Sequence, residues 1–129
     1  MLLVTNNPMV EEKINCIPKE YVEVEYGEVL QIVKQHIIEN NYVLLTHPLS
    51  GSIKPNETYY KSIILDDNQR PYTDLASLEL IEDAEAVYDK FMKNKMRPNW
   101  TEKVLKDFAY VDYYIMRSTF ECMQMQLPL

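Results

Sequence analysis

Two short polar segments carry the side chains best suited to chemistry. One is Thr5-Asn6-Asn7-Pro8. The other runs from Thr46 through His47, Ser50, Gly51 and Ser52 to Lys54, with Lys61 a little beyond. Thr5, Thr46, Ser50 and Ser52 offer hydroxyls, Asn6 and Asn7 offer amides, and Lys54 and Lys61 offer positive charge. Gly51 lets the backbone approach a ligand closely, and successive N–H groups around such a glycine form anion-binding nests. His47 changes charge near neutral pH and is the candidate general acid or base. The set suits a small carboxylate or phosphate. Each member also has a plainer reading: Asn-Asn-Pro as a turn and helix cap, Ser-Gly-Ser as a β-turn, His47 as a satisfied histidine at a strand end.

Other chemistry is harder to write. Two Gly cannot supply a GxGxxG or GxxxxGK[ST] cradle, and His36 and His47 make no paired-histidine zinc motif. No metal and no cofactor is expected. Cys16 and Cys122 are far apart and lack a CxxC partner, so both read as reduced thiols in a cytoplasm. Twenty acidic against thirteen basic residues, a net charge of −7, argue against nucleic acid and anionic membranes as partners. No stretch reaches the roughly 18–20 apolar residues of a membrane span.

The elements that must position these residues follow from the pattern. The chain length of 129 predicts a single α/β domain over 1–129. Leu2–Thr5 reads as a short buried strand, stopped by Asn-Asn-Pro, with a turn of helix over Met9–Ile14. Tyr21–Tyr26 alternates strictly and predicts a half-buried strand. Glu28–Asn40 has helical spacing. Tyr42–Thr46 and Lys61–Leu65 are apolar runs of strand length, separated by the loop His47–Tyr60. Asp74 caps a helix to about Asn94, with Leu75, Leu78, Ile81 (or Leu80), Ala84, Val87 or Tyr88, and Phe91 on its buried stripe. Asn99-Trp100-Thr101-Glu102 resembles a capping box opening a last helix. There Val104, Phe108, Val111, Ile115, Thr119 and Cys122 follow at spacings of three and four.

Alternating strands and helices predict a small, mostly parallel, Rossmann-like four-stranded sheet with helices packed on it, in order 2-1-3-4. In that order a crevice opens at the carboxyl ends of the first and third strands. The two polar segments would face each other across it. The rival is a hairpin between the third and fourth strands, although fourteen residues is long for a hairpin loop. The C-terminal part, 99–129, carries Tyr110, Tyr113, Tyr114, Met116, Phe120, Met123 and Met125 around its apolar stripe, more than one buried face needs. It is expected to dock on the domain or on a partner, either a second copy or another protein.

Thr5-Asn6-Asn7-Pro8 together with Leu45–Glu57 and Tyr60-Lys61-Ser62 resembles the GrdX family, and the likeness extends through the long helix to about Phe91 and more loosely to the end. Genes of this family accompany the glycine, sarcosine or betaine reductase systems of anaerobic amino-acid-fermenting bacteria. The resemblance implies an accessory role in such a system and no particular reaction. Three functions stay open. One is a non-catalytic module binding a small anionic metabolite. Another is an enzyme with His47 as acid or base, Ser50 or Ser52 near the reacting group and Lys54 stabilising negative charge. The third is an assembly protein acting as a homodimer or with a reductase-system protein through its C-terminal helix.

Overall fold

A computed structural model describes residues 1–50, 58–94 and 99–122. The chain forms β1 (Leu2–Thr5), α1 (Pro8–Lys13), β2 (Lys19–Tyr21), α2 (Tyr26–Glu39), β3 (Val43–Leu44), β4 (Ser62–Asp66), α3 (Leu75–Asn94) and α4 (Glu102–Cys122). It is an α/β fold, but the sheet order is β2-β1-β4-β3 rather than 2-1-3-4. β1 and β2 are parallel, whereas β4 runs antiparallel to both β1 and β3. The sheet is therefore mixed, and the expected mostly parallel, Rossmann-like arrangement does not hold. The physical reason lies in the connection. A parallel neighbour needs a crossover, usually a helix, while an antiparallel one needs only a turn. Residues 47–60 have no helical periodicity, and the length of this loop misdirects the expectation.

Each face of the sheet buries alternate strand residues. Val4, Ile63 and Leu65 pack against Val29, Leu30, Val33 and Ile37 of α2 and Ile81, Ala84 and Tyr88 of α3. Leu3 and Ile64 face the other way, onto Val10 of α1, Ile14, and Tyr113, Met116 and Phe120 of α4. The result is a three-layer stack with the sheet in the middle. The first layer packs closely because residue 27 is glycine. Tyr26 and Tyr88 stack at 5.5 Å, and a Cβ on Gly27 would lie 2.5 Å from Cε1 of Tyr88.

Several boundaries differ from expectation. β2 ends at Tyr21 instead of running from Tyr21 to Tyr26, because β1 leaves the sheet at Thr5 and offers no further ladder. The last ladder bond goes from Val22 N to Thr5 O at 3.0 Å, and the Val24 carbonyl is taken by the Asn6 side chain instead. Val22, Val24 and Tyr26 still point into the core, as the alternation requires. β3 is two residues long, yet its edge is extended by Leu45 N to Ile64 O (2.9 Å) and Ile64 N to the Thr46 hydroxyl (3.0 Å). In α3, Asp74 caps the helix by accepting from Ser77 N, but Leu75 is exposed rather than buried. The α4 stripe is also rotated from expectation: Ala109, Asp112, Tyr113, Met116 and Phe120 are buried while Val111 is exposed.

Candidate functional site

Because β4 runs antiparallel to β1, its first residues lie beside the last residues of β1, and Thr5 pairs with Ser62. This sheet end holds a cluster of buried polar side chains: Thr5, Asn6, Asn7, Lys61, Ser62 and Asp112. A buried polar group is tolerated when it is hydrogen-bonded, and the cluster meets that condition closely. The Thr5 and Ser62 hydroxyls are 2.7 Å apart, and Thr5 Oγ1 accepts from Asn7 N at 2.9 Å.

Asn6 and Asn7 divide the work. Asn6 Nδ2 donates to the carbonyls of Val24 (2.8 Å) and Tyr59 (3.0 Å), while its Oδ1 accepts from Lys61 N (2.8 Å). It thereby ties β1 to the strand–helix linker and to the entry of β4. Asn7 caps α1, its Oδ1 accepting from Met9 N, with Pro8 in the first turn. Its Nδ2 donates to the Ala109 carbonyl (2.8 Å) and to Asp112 Oδ2 (3.0 Å) on α4. Both amides therefore also act as structural fasteners.

Asp112 is the member that sequence reasoning misses. Besides Asn7, it accepts from Ser62 N at Oδ1 (3.2 Å) and Ser62 Oγ at Oδ2 (2.7 Å). Burial pushes its carboxyl above the ordinary range, while the Asn7 and Ser62 hydrogen bonds and the nearby Lys61 charge pull it back. A usable signal is the spacing Ala109, Tyr113, Met116, Phe120, which places residue 112 on the same inner face.

Lys61 is 2% exposed. Its Nζ donates to the Ser50 carbonyl at 2.6 Å. Burial lowers its pKa to about 8, against the opposing pull of Asp112. Next to it, Tyr60 is raised above its ordinary value, by burial first and then by Tyr59 and Tyr21. An open groove of about 570 Å³ runs alongside the cluster between α1 and α4, lined among others by Met9, Lys13, Tyr60, Leu105 and Lys106.

The two segments singled out from sequence do share one end of the sheet, but they do not face each other directly. β4 lies between β1 and β3, so Lys61 and Ser62 stand in the middle. Lys61 bridges the two sides, through its backbone N–H to Asn6 and its side chain to Ser50. Thr46 spends its hydroxyl on Ile64 N. His47 is exposed and forms a turn: its Nδ1 accepts from Leu49 N (3.1 Å) and its carbonyl from Ser50 N (3.1 Å). Pro48 is buried, and its carbonyl accepts from the Tyr26 hydroxyl. Gly51, Ser52 and Lys54 lie outside the described residues. Among the described residues, no group of three or more His, Cys, Asp or Glu side chains is placed to hold a metal ion, and no helix is long and apolar enough to cross a membrane.

Comparison with known proteins agrees with the motif reading. A family model described as GrdX-like protein matches residues 2–121. No curated protein and no solved structure matches the chain significantly.

Proposed function

We propose that this chain, which belongs to the GrdX family, is a non-catalytic accessory protein of a glycine, sarcosine or betaine reductase system that holds a small anionic metabolite at the sheet end around Lys61. The system is what the family context suggests. The ligand class rests on one observation, the burial of the Lys61 amine at the junction of β4 with the turn ending at Ser50. At neutral pH an amine with a pKa of about 8 is still mostly protonated. Burial raises the Asp112 carboxyl while its Asn7 and Ser62 donors and the Lys61 charge pull it back, and no direct ion pair joins its oxygens to the Lys61 amine among the described residues. The ammonium is a desolvated cation whose Nζ donates to the Ser50 carbonyl, a site that a carboxylate or phosphate would suit.

In this reading Thr5, Asn6, Asn7 and Thr46 position Lys61 and the strand ends, since their polar atoms serve the fold. Ser50, with Gly51, Ser52 and Lys54 after it, would line the ligand. His47, on the exposed turn, would stand at the rim.

The test is thermal shift and calorimetric titration of the full chain with inorganic phosphate, acetate, glycine and acetyl phosphate. At least one should stabilise the protein at pH 7. Its affinity should fall about tenfold at pH 9, where roughly a tenth of the Lys61 amine keeps its proton. Lys61→Gln should abolish the response. No stabilisation by any of the four at millimolar concentration would reject the reading.

A further inference from the structure

The solvent face of α4 carries a pattern that the sheet-end site does not use. At about 100° per residue, the positions opposite buried Asp112 are Lys103, Asp107, Tyr110, Tyr114, Arg117 and Glu121. Arg117 is half-buried and the other five are exposed. Their spacing is 4-3-4-3-4, the rhythm of a helix–helix seam. Tyr110 and Tyr114, 49% and 46% exposed, lie in contact at the centre, with ring centroids 4.8 Å apart.

Read from either end, the stripe is its own complement. Turned about an axis at the level of residue 112, an antiparallel copy sets Lys103 opposite Glu121, Asp107 opposite Arg117, and Tyr110 opposite Tyr114. The self-complementarity is what a two-fold interface requires. The stripe is also electrically neutral, with two cations and two anions, on a chain of net charge −7. It is a face on which two acidic copies can meet without adding to their repulsion. Arg117 Nε reaches Glu121 Oε1 of its own helix at 3.4 Å, which leaves the rest of the guanidinium fork for a carboxylate across the axis.

We propose that the chain forms a two-fold dimer through antiparallel α4–α4 packing in this register, with the four tyrosines of the two copies at the centre and two charge pairs on each side. The tyrosines supply the rigid contact area and the charges fix the register.

Sedimentation equilibrium of the full chain, from low to several hundred micromolar, tests this. The wild type should dimerise. Asp107→Arg brings two arginines together across the axis, and Arg117→Asp brings two aspartates together, so each alone should raise the dimer dissociation constant at least tenfold. Mixing the two variants restores opposite charges at both sites, and the mixture should form a heterodimer. Tyr110→Ser should weaken the dimer without altering charge. Far-UV circular dichroism at low concentration should show all variants folded, since the substituted side chains lie on the outer face of the helix. A wild type that stays monomeric throughout the range, folded single variants that dimerise like the wild type, or a mixture that stays monomeric would each overturn the proposal.

Discussion

The Ser62 hydroxyl donates to Asp112 Oδ2 over 2.7 Å, and the Ser62 backbone N–H reaches Oδ1 of the same carboxylate. One residue at the start of β4 thus holds both oxygens of a side chain from the middle of the last described helix. Losing either partner strands buried donors or acceptors, which costs more than the hydrogen bond itself contributes.

Asp112→Ala should therefore lower stability by about 2–5 kcal/mol, the range for stripping one partner from a buried polar network. Asp112→Asn keeps the shape but turns an amide toward the Asn7 Nδ2 donor, and should lower it by about 1–3 kcal/mol. Urea denaturation followed by circular dichroism checks both. Equal stability of Asp112→Ala and wild type would show that the carboxylate does not hold α4.

The Lys61 amine gives stability an unusual pH dependence. Its folded pKa of about 8 lies below the ordinary 10.5. Between those values the unfolded chain keeps a proton that the folded chain has lost, so stability should rise with pH across this window. The gain has an upper limit of about 3 kcal/mol. Tyr21 and Tyr60, both raised, act in the opposite sense above pH 10, so measurement belongs between pH 7.5 and 10. Lys61→Met should flatten the profile. A wild-type curve that falls over this range would contradict the assignment.

Gly27→Ala adds a methyl where Tyr88 already stands, at 2.5 Å from its ring. Overpacking of this kind costs about 1–3 kcal/mol, only partly offset by alanine's better helix propensity. Tyr88→Ala vacates the space, so a double-mutant cycle in denaturant should show strong coupling between the two substitutions. Simple additivity would mean that the tyrosine moves aside freely.

At the sheet edge, Thr46→Val removes the hydroxyl that satisfies Ile64 N, while Thr46→Ser retains it. The valine variant should lose about 1–2 kcal/mol and the serine variant less. Faster amide exchange at Ile64 in the valine variant alone would confirm the cause.

Strands and helices were legible in the sequence wherever apolar spacing was regular, as in β1, β4, α2 and α3. Topology was legible only in part. β1 does pair with β2 in parallel, and the third and fourth strands are neighbours. They pair, however, in the antiparallel sense of the rival hairpin, with β4 rather than β3 beside β1, because a loop's length does not say on which side its strands return. The site was legible in part. Asn6, Asn7, Lys61 and Ser50 do gather at one end of the sheet, as their chemistry and order suggest. Asp112 stayed hidden because a carboxylate within a helical repeat normally marks the wet face. Placing it outside shifts the α4 stripe by one residue, about 100°. That single displacement accounts for Val111 being read as buried and Tyr113, Met116 and Phe120 as peripheral.

Asn7 and its partners on α4 are separated by more than a hundred residues of chain, 102 to Ala109 and 105 to Asp112. During synthesis the first strand and the cap of α1 emerge long before the carboxylate that completes their bonding. Until α4 arrives, water must occupy its place on the Asn7 amide and the Ser62 hydroxyl. The closing of this cluster must therefore await α4 during synthesis, and a ribosome-bound chain halted before Asp112 should expose its β1–β4 junction to protease.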